Sequence, residues 1–347
     1  AMLKSPAWGD GFIVAARPFF VKRSPRQKAG ETSNITSSGD NQMVVMSASN
    51  NMAKRQTTSD LKPTPMDVNE LLGRYAQGER AFTKADLGEA HLSGTNLSRV
   101  ILRDGDLSEA NLSAAYLKGA DLRGADLKGA DLRGTYLRGA DLRGTDLRWA
   151  HMQGTDISQA LYNIQTRFPA ELDPKALGGY AIAPGADLEN GYLCGADLRW
   201  TKLTDCNLKR AYLHRSDLRS ADLRGADLTD ADLSAALYDD LTQFHAEFDL
   251  EAAGAYAIAP NASLINAKLW RARLSGVDLS GADLTDANLY RADLSRANLQ
   301  GANLTDANLW GANLIGANLQ GANLQDTILK EADMRGAIAP DGTSESD

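Results

Sequence analysis

Ala120-Asp121-Leu122-Arg123-Gly124-Ala125-Asp126-Leu127-Lys128-Gly129 is the stretch that decides the fold. An apolar residue, usually Leu, recurs at every fifth position, and the residue two before it is usually Ala. The beat runs from 82 to 162, resumes from 188 to 238, and runs again from 264 to 334. An α-helix repeats every ~3.6 residues and a flat strand every ~2, so a period of five belongs to neither. A short period held over most of a chain marks a solenoid.

These residues resemble the pentapeptide-repeat family, whose consensus is Ala, then Asp or Asn, then Leu, then two variable residues. The three blocks hold 17, 11 and 15 such units, 215 of the 347 residues. The resemblance implies an all-β solenoid, a right-handed quadrilateral β-helix in which four pentapeptides make one square coil. Leu and Ala suit the inward positions because neither brings a polar atom that the core must satisfy. Coils about 4.8 Å apart, about eleven in all, give an expected rod on the order of 50 Å with one continuous core. Each coil buries its Leu only against its neighbours, so stability is close to a sum of nearest-neighbour terms.

Composition narrows the setting. The two cysteines make no disulfide framework: Cys206 takes an inward position and Cys194 an outward one. An intracellular, reducing compartment is the default. The resemblance makes that the cyanobacterial cytosol, up to the cytosolic face of a photosynthetic membrane. No apolar run approaches the ~18 residues of a spanning helix, so no membrane insertion is expected. The formal net charge is −8. Residues 1–60 hold eight basic and four acidic side chains, leaving −12 on the remainder, a basic arm on an acidic rod.

Residues 1–63 are rich in Ser, Asn, Thr, Lys and Arg. They read as a disordered tail, a targeting peptide, or an extended arm that docks on a partner. For the arm, Trp8, Phe12, Ile13, Phe19 and Phe20 are the anchors. Met52-Ala53-Lys54 resembles a normal start, so the first 51 residues read equally as an appended module. Within 64–80 a short amphipathic helix is expected over 67–78, with Asp67 as N-cap and Gly78 at C′. Its Leu71, Leu72 and Tyr75 close the first coil, since an open β-helix end is a sticky edge. Repeat block 1 covers 81–162, block 2 187–238 and block 3 263–336, with a polar tail at 337–347. The intervening segments, 163–186 and 239–262, are near copies. Thr166/Thr242, Phe168/Phe244, Asp173/Asp249 and Tyr180/Tyr256 all differ by 76, as do Tyr116/Tyr192 and Tyr136/Tyr212. A unit of that length was therefore duplicated together with its lateral loop. Similar loops occur in cyanobacterial members of the family.

No catalytic constellation is visible. His91, His151, His214 and His245 are scattered, with no Cys, His or carboxylate at metal-ligand sequence spacing. No Gly-rich phosphate loop occurs, and a filled rod offers no water-excluding cleft. The expectation is a non-enzyme with no cofactor, no metal and no small-molecule substrate. Residues 20 apart stack, so Arg103, Arg123 and Arg143 form one ladder and Asp86, Asp106, Asp126 and Asp146 another. Both read as solvated faces. Trp270, Tyr290 and Trp310 share one outward position in successive coils. They read either as self-stacking that stabilises the rod or as a partner-binding stripe.

The function expected is a scaffold or linker that docks, by its N-terminal arm and rod faces, on protein partners in a larger assembly. A cyanobacterial photosynthetic antenna such as the phycobilisome is a candidate host by analogy. The alternative is a DNA-mimicking gyrase-binding protein. The overall acidity fits it. Basic residues after Leu at 118, 123, 128, 133, 138, 143 and 148, and the polar C-terminal end, argue against it. Direct nucleic-acid binding by the arm is not expected, because eight basic residues over 60 make no dense patch.

Overall fold

A computed structural model describes residues 64–343, apart from residue 251. The anchors Trp8, Phe12, Phe19 and Phe20, and with them the proposed arm, lie outside the described residues.

Parallel bridges join residues 20 apart throughout each block, as in the column Asp86, Asp106, Asp126, Asp146. Four pentapeptides therefore close one coil. Leu122 N–H donates to the Asp141 carbonyl of the coil above at 2.9 Å, and Asp121 N–H to Val100 of the coil below at 2.8 Å. Each side is thus a short parallel ladder. At each corner the residue after Leu and its successor turn the chain: Ala125 N–H returns to the Leu122 carbonyl at 3.0 Å, across Gly124 with φ +68°. Such a turn needs positive φ at its third residue. The preference for Asp or Asn before Leu is local chemistry. Asp106 Oδ1 accepts the Ser108 N–H at 2.9 Å and Asp126 Oδ1 accepts Lys128 N–H at 3.0 Å, an Asx turn at each side.

Leu122, Leu142 and nearly all other block Leu residues line the bore with almost no exposed surface, while Leu324 and Leu329 in the last coils are half-buried. At roughly 1.5–3 kcal/mol per buried Leu, they supply most of the driving force. Where Thr replaces the inward Ala, its hydroxyl is satisfied: Thr135, Thr145 and Thr155 donate to the carbonyls of Leu112, Leu122 and Leu132 at 2.7–2.8 Å. At the N-terminal end Thr64–Pro65 pairs in parallel with Ala85–Asp86. The helix Val68–Ala76 follows, its N-cap Asp67 accepting Asn69 N–H at 2.6 Å, with Leu71 fully buried in the first core.

The core is not continuous. Buried residues fall into three separate clusters, one for each block. Leu161–Tyr162 pairs in parallel with Tyr180–Ala181, and Leu237–Tyr238 with Tyr256–Ala257. Leu161 and Leu237 stand where other coils carry outward Asp or Asn. Each is nevertheless buried, and in the core of the next block. Phe168 and Leu172 of the first loop pack on the first core, and Phe244 and Phe248 of the second loop on the second. The single expected rod is therefore three β-helical blocks. An outward Leu starts the next core on the flank of the block before it.

Candidate interaction surface

The joints between blocks are built from arginine. In mid-block, the carbonyl of Asp141 accepts from the coil below. The first coil of blocks 2 and 3 has no coil beneath it, so equivalent carbonyls lack a backbone donor. Side chains replace it. Arg143 Nη2 donates to the Asp197 carbonyl, Arg219 Nη2 to the Arg273 carbonyl at 2.5 Å, and Arg215 Nη2 to the Trp270 carbonyl at 2.8 Å. The Asp197 carboxylate gathers Arg199 and Arg123 at 2.7 Å, and Arg103 and Arg273 at 3.3 Å. It thus ties all three blocks together. Burial would raise its pKa, but the Arg199 hydrogen bond and the charges of Arg199, Arg273 and Arg103 hold it at about 2. Asp121, which shares Arg103 and Arg273, goes the other way: burial pushes it up against the pull of Arg103.

The ladder Arg103, Arg123, Arg143 is consequently not a solvated face. Arg143 is 8 % exposed, and Asp121, Asp197, Asp217 and Arg219 are likewise buried. The signal was available: Asp-Leu-Arg at 121 and 141 recurs at 197 and 217, the spacing of the duplication. The other acidic column is neutralised in part: Asp126 pairs with Lys128 at 2.5 Å and Asp146 with Arg148 at 2.7 Å. In the neighbouring column Asp131 pairs with Arg133 at 2.6 Å. Block 1 thus carries no unbroken acidic stripe of the kind a DNA mimic needs.

Aromatic residues collect on a different side of the coils. Tyr116 and Tyr136 stack at 4.8 Å between centroids, and so do Tyr192 and Tyr212, their counterparts in the duplicated unit. All four are exposed. In block 3 the counterparts of Tyr192 and Tyr212 are Lys268 and Asn288, and Trp270, Tyr290 and Trp310 stand two residues on, just after Leu. Tyr290 and Trp310 meet edge-to-face at 6.3 Å, with Lys330 over the Trp310 ring at 4.9 Å. Trp270 belongs as much to the joint: the Arg215 guanidinium lies 3.4 Å over its ring. Sequence reading did not single out Trp149 and Trp200. They are 70 % and 68 % exposed and sit at left-handed corners.

One cluster escaped the sequence analysis because coil stacking, not sequence spacing, assembles it. Cys194 Sγ lies 3.2 Å from His214 Nδ1, and that same nitrogen lies 3.7 Å from Asp232 Oδ2. A nucleophile–base–orienter relay needs the two ring nitrogens to serve different partners. Burial, reinforced by Asp232, also raises the Cys194 thiol. Among the described residues no group of three His, Cys, Asp or Glu is arranged to hold a metal. Nor is any helix among them long and apolar enough to cross a membrane.

Stacked coils of four pentapeptides, inward Leu and Asx corners are the features of one repeat class, and comparison agrees. The profile described as pentapeptide repeats matches in eight copies over 82–119, 120–159, 180–210, 196–234, 262–301 and 302–338. The chain belongs to the pentapeptide-repeat family. Members form right-handed quadrilateral β-helices and generally act as structural or protein-interaction proteins. Among solved structures it is similar to HetL, a pentapeptide-repeat protein involved in heterocyst differentiation regulation from the cyanobacterium Nostoc sp. strain PCC 7120. Identity is 33 %, covering 81 % of this chain and all of HetL, with a TM-score of 0.23. It is also similar to alr5209 from Nostoc PCC 7120, at 38 % identity over 35 % of this chain and 99 % of that one, TM-score 0.34. Rfr23 from Cyanothece 51142 matches at 34 % identity over 25 % and 60 %, TM-score 0.25. No curated protein matches the chain.

Proposed function

We propose that this pentapeptide-repeat protein is a non-enzymatic scaffold that holds protein partners on the aromatic side of its coils. The observations that carry the reading are the exposed stacked pairs Tyr116–Tyr136 and Tyr192–Tyr212, together with the Trp270, Tyr290 and Trp310 set in block 3. Aromatic side chains with cations beside them are the usual interface anchors. In this reading the helix Val68–Ala76 caps the first coil. The loops 163–186 and 239–262 set the angle between blocks, and residues 1–63 are a docking arm anchored by Trp8, Phe12, Phe19 and Phe20. The host proposed is a large cyanobacterial assembly, of which a photosynthetic antenna is one example.

The test is affinity capture from a native extract with the full chain, the chain lacking residues 1–63, and a Trp270→Ser/Trp310→Ser variant. Loss of a specific partner set in the double variant supports the aromatic stripe, and loss in the truncation supports the arm. Recovery of the same partners by all three forms removes both.

A further inference from the structure

We infer that the junction of the three blocks is a binding site for a small phosphate-bearing anion. It is held by Arg215 of block 2 and Lys268 of block 3 in a half-open cleft beside Trp270. The cleft measures about 90 Å³ and is lined by Arg215, Lys268, Arg273 and Trp270, with Asp197 and Asp217 on its inner wall. That is room for a group of phosphate size, not for a folded partner.

The charge argument rests on which cations are already satisfied. Asp197 and Asp217 are engaged by Arg103, Arg123, Arg199 and Arg219. Even within that seam six guanidinium groups, those of Arg103, Arg123, Arg143, Arg199, Arg219 and Arg273, face only the four carboxylates of Asp121, Asp141, Asp197 and Asp217. Two positive charges remain. Arg215 and Lys268 of the cleft add two more, and among the described residues neither has a carboxylate in ion-pair distance. A chain of net charge −8 thus concentrates uncompensated positive charge at one point.

Arg215 is also presented rather than merely near. Its guanidinium lies 3.4 Å over the Trp270 ring, with one N–H given to the Trp270 carbonyl. A guanidinium has five donors in a planar fork, so four remain for a tetrahedral oxyanion. Burial, and then the charges of Arg271 and Arg99, draw the Arg215 pKa below its usual value. That strain is what a bound anion relieves. An anion here would tie block 2 to block 3.

The experiment is isothermal titration of the full chain with orthophosphate, and separately with adenosine monophosphate, against chloride at matched ionic strength. Saturable one-site binding of either probe is expected. The variant Lys268→Ser, which removes no ion pair, should weaken it about tenfold while leaving the circular dichroism and melting curve unchanged. Arg215→Lys, which keeps charge but loses the fork, should weaken it as well. Orthophosphate alone binding identifies a free anion; tighter monophosphate binding identifies an ester. No saturable heat with either probe, or unaltered affinity in Lys268→Ser, overturns the proposal.

Discussion

Arg219 Nη2 donates to the backbone carbonyl of Arg273 at 2.5 Å while its Nε and Nη2 grip the Asp217 carboxylate at 2.8 and 2.6 Å. Arg143 holds Asp197 in the same way, one duplicated unit earlier, through Asp141. A carboxylate on the flank thus aims a guanidinium at the open backbone edge of the next block. The edge-strand liability of a β-helix is turned into a joint. Duplication of that unit copied the joint as well as the loop.

Removing Arg219 tests that account. Arg219→Met keeps the stem but leaves the buried Asp217 carboxylate with only the more distant Arg199, at 3.3 Å, and the Arg273 carbonyl without its donor. Stripping one partner from a buried pair costs about 3–5 kcal/mol. The variant should lose stability of that order in urea denaturation, with hydrogen exchange rising first near 263–275. Arg224→Met breaks the outwardly similar pair with Asp222, 2.7 Å apart but exposed, and should leave the midpoint where it is. Equal effects of the two would show that burial at the joint is not what matters.

Core damage should stay local. Leu208→Ala empties a position with no exposed surface and should cost about 2–5 kcal/mol. Because block 2 has its own cluster, protection should fall around 188, 208 and 228 and persist in block 3. Uniform loss of protection across all three blocks would show that they unfold as one.

The coil itself was readable because a five-residue beat admits one packing: Leu122 and Leu142 must face inward, and Asp121 must turn the corner. The break into three cores was not. It depends on Leu161 and Leu237, single apolar residues in an Asp column, which a periodicity count treats as noise. The seam was hidden for a related reason. Arg143 and Arg133 have the same neighbours in sequence, yet one is 8 % exposed and the other open to solvent. What separates them is which side meets another block. Cys194 and His214 show the same limit. A spacing of 20 means contact in this fold and nothing in a helix.

Acid should loosen the joint through Asp197. Its pKa is depressed from 3.8 to about 2. A depressed carboxylate adds stability that is fully present above the unfolded pKa and is lost as pH falls through the folded one. Stability should therefore hold above about pH 5 and drop by roughly 2 kcal/mol between pH 4 and 2 on this account alone. Asp197→Asn should be less stable at neutral pH and should flatten that limb of the urea-midpoint-versus-pH curve. An unchanged acid limb in the variant would assign the transition to other carboxylates.

Trp149 and Trp200 pose a question that magnitudes can settle. Each holds a left-handed corner, φ +63° and +56°; Gly129 takes that corner in the coil below Trp149, and Gly124 is the counterpart of Trp200 in the duplicated unit. Each has an arginine over its ring, Arg148 at 5.3 Å and Arg199 at 4.8 Å. At exposed sites that contact gives about 0.5–1 kcal/mol. The left-handed conformation costs a non-glycine residue about 1–2 kcal/mol. Glycine would remove that cost but add about 0.5–1 kcal/mol of unfolded-chain entropy. The terms nearly cancel, so Trp149→Gly/Trp200→Gly should change folding stability by less than about 1 kcal/mol. The indoles are then retained for what they touch outside the fold. The double variant should melt like the parent and lose part of the partner set that the parent captures. A variant that captures every partner but melts well below the parent would make both residues structural.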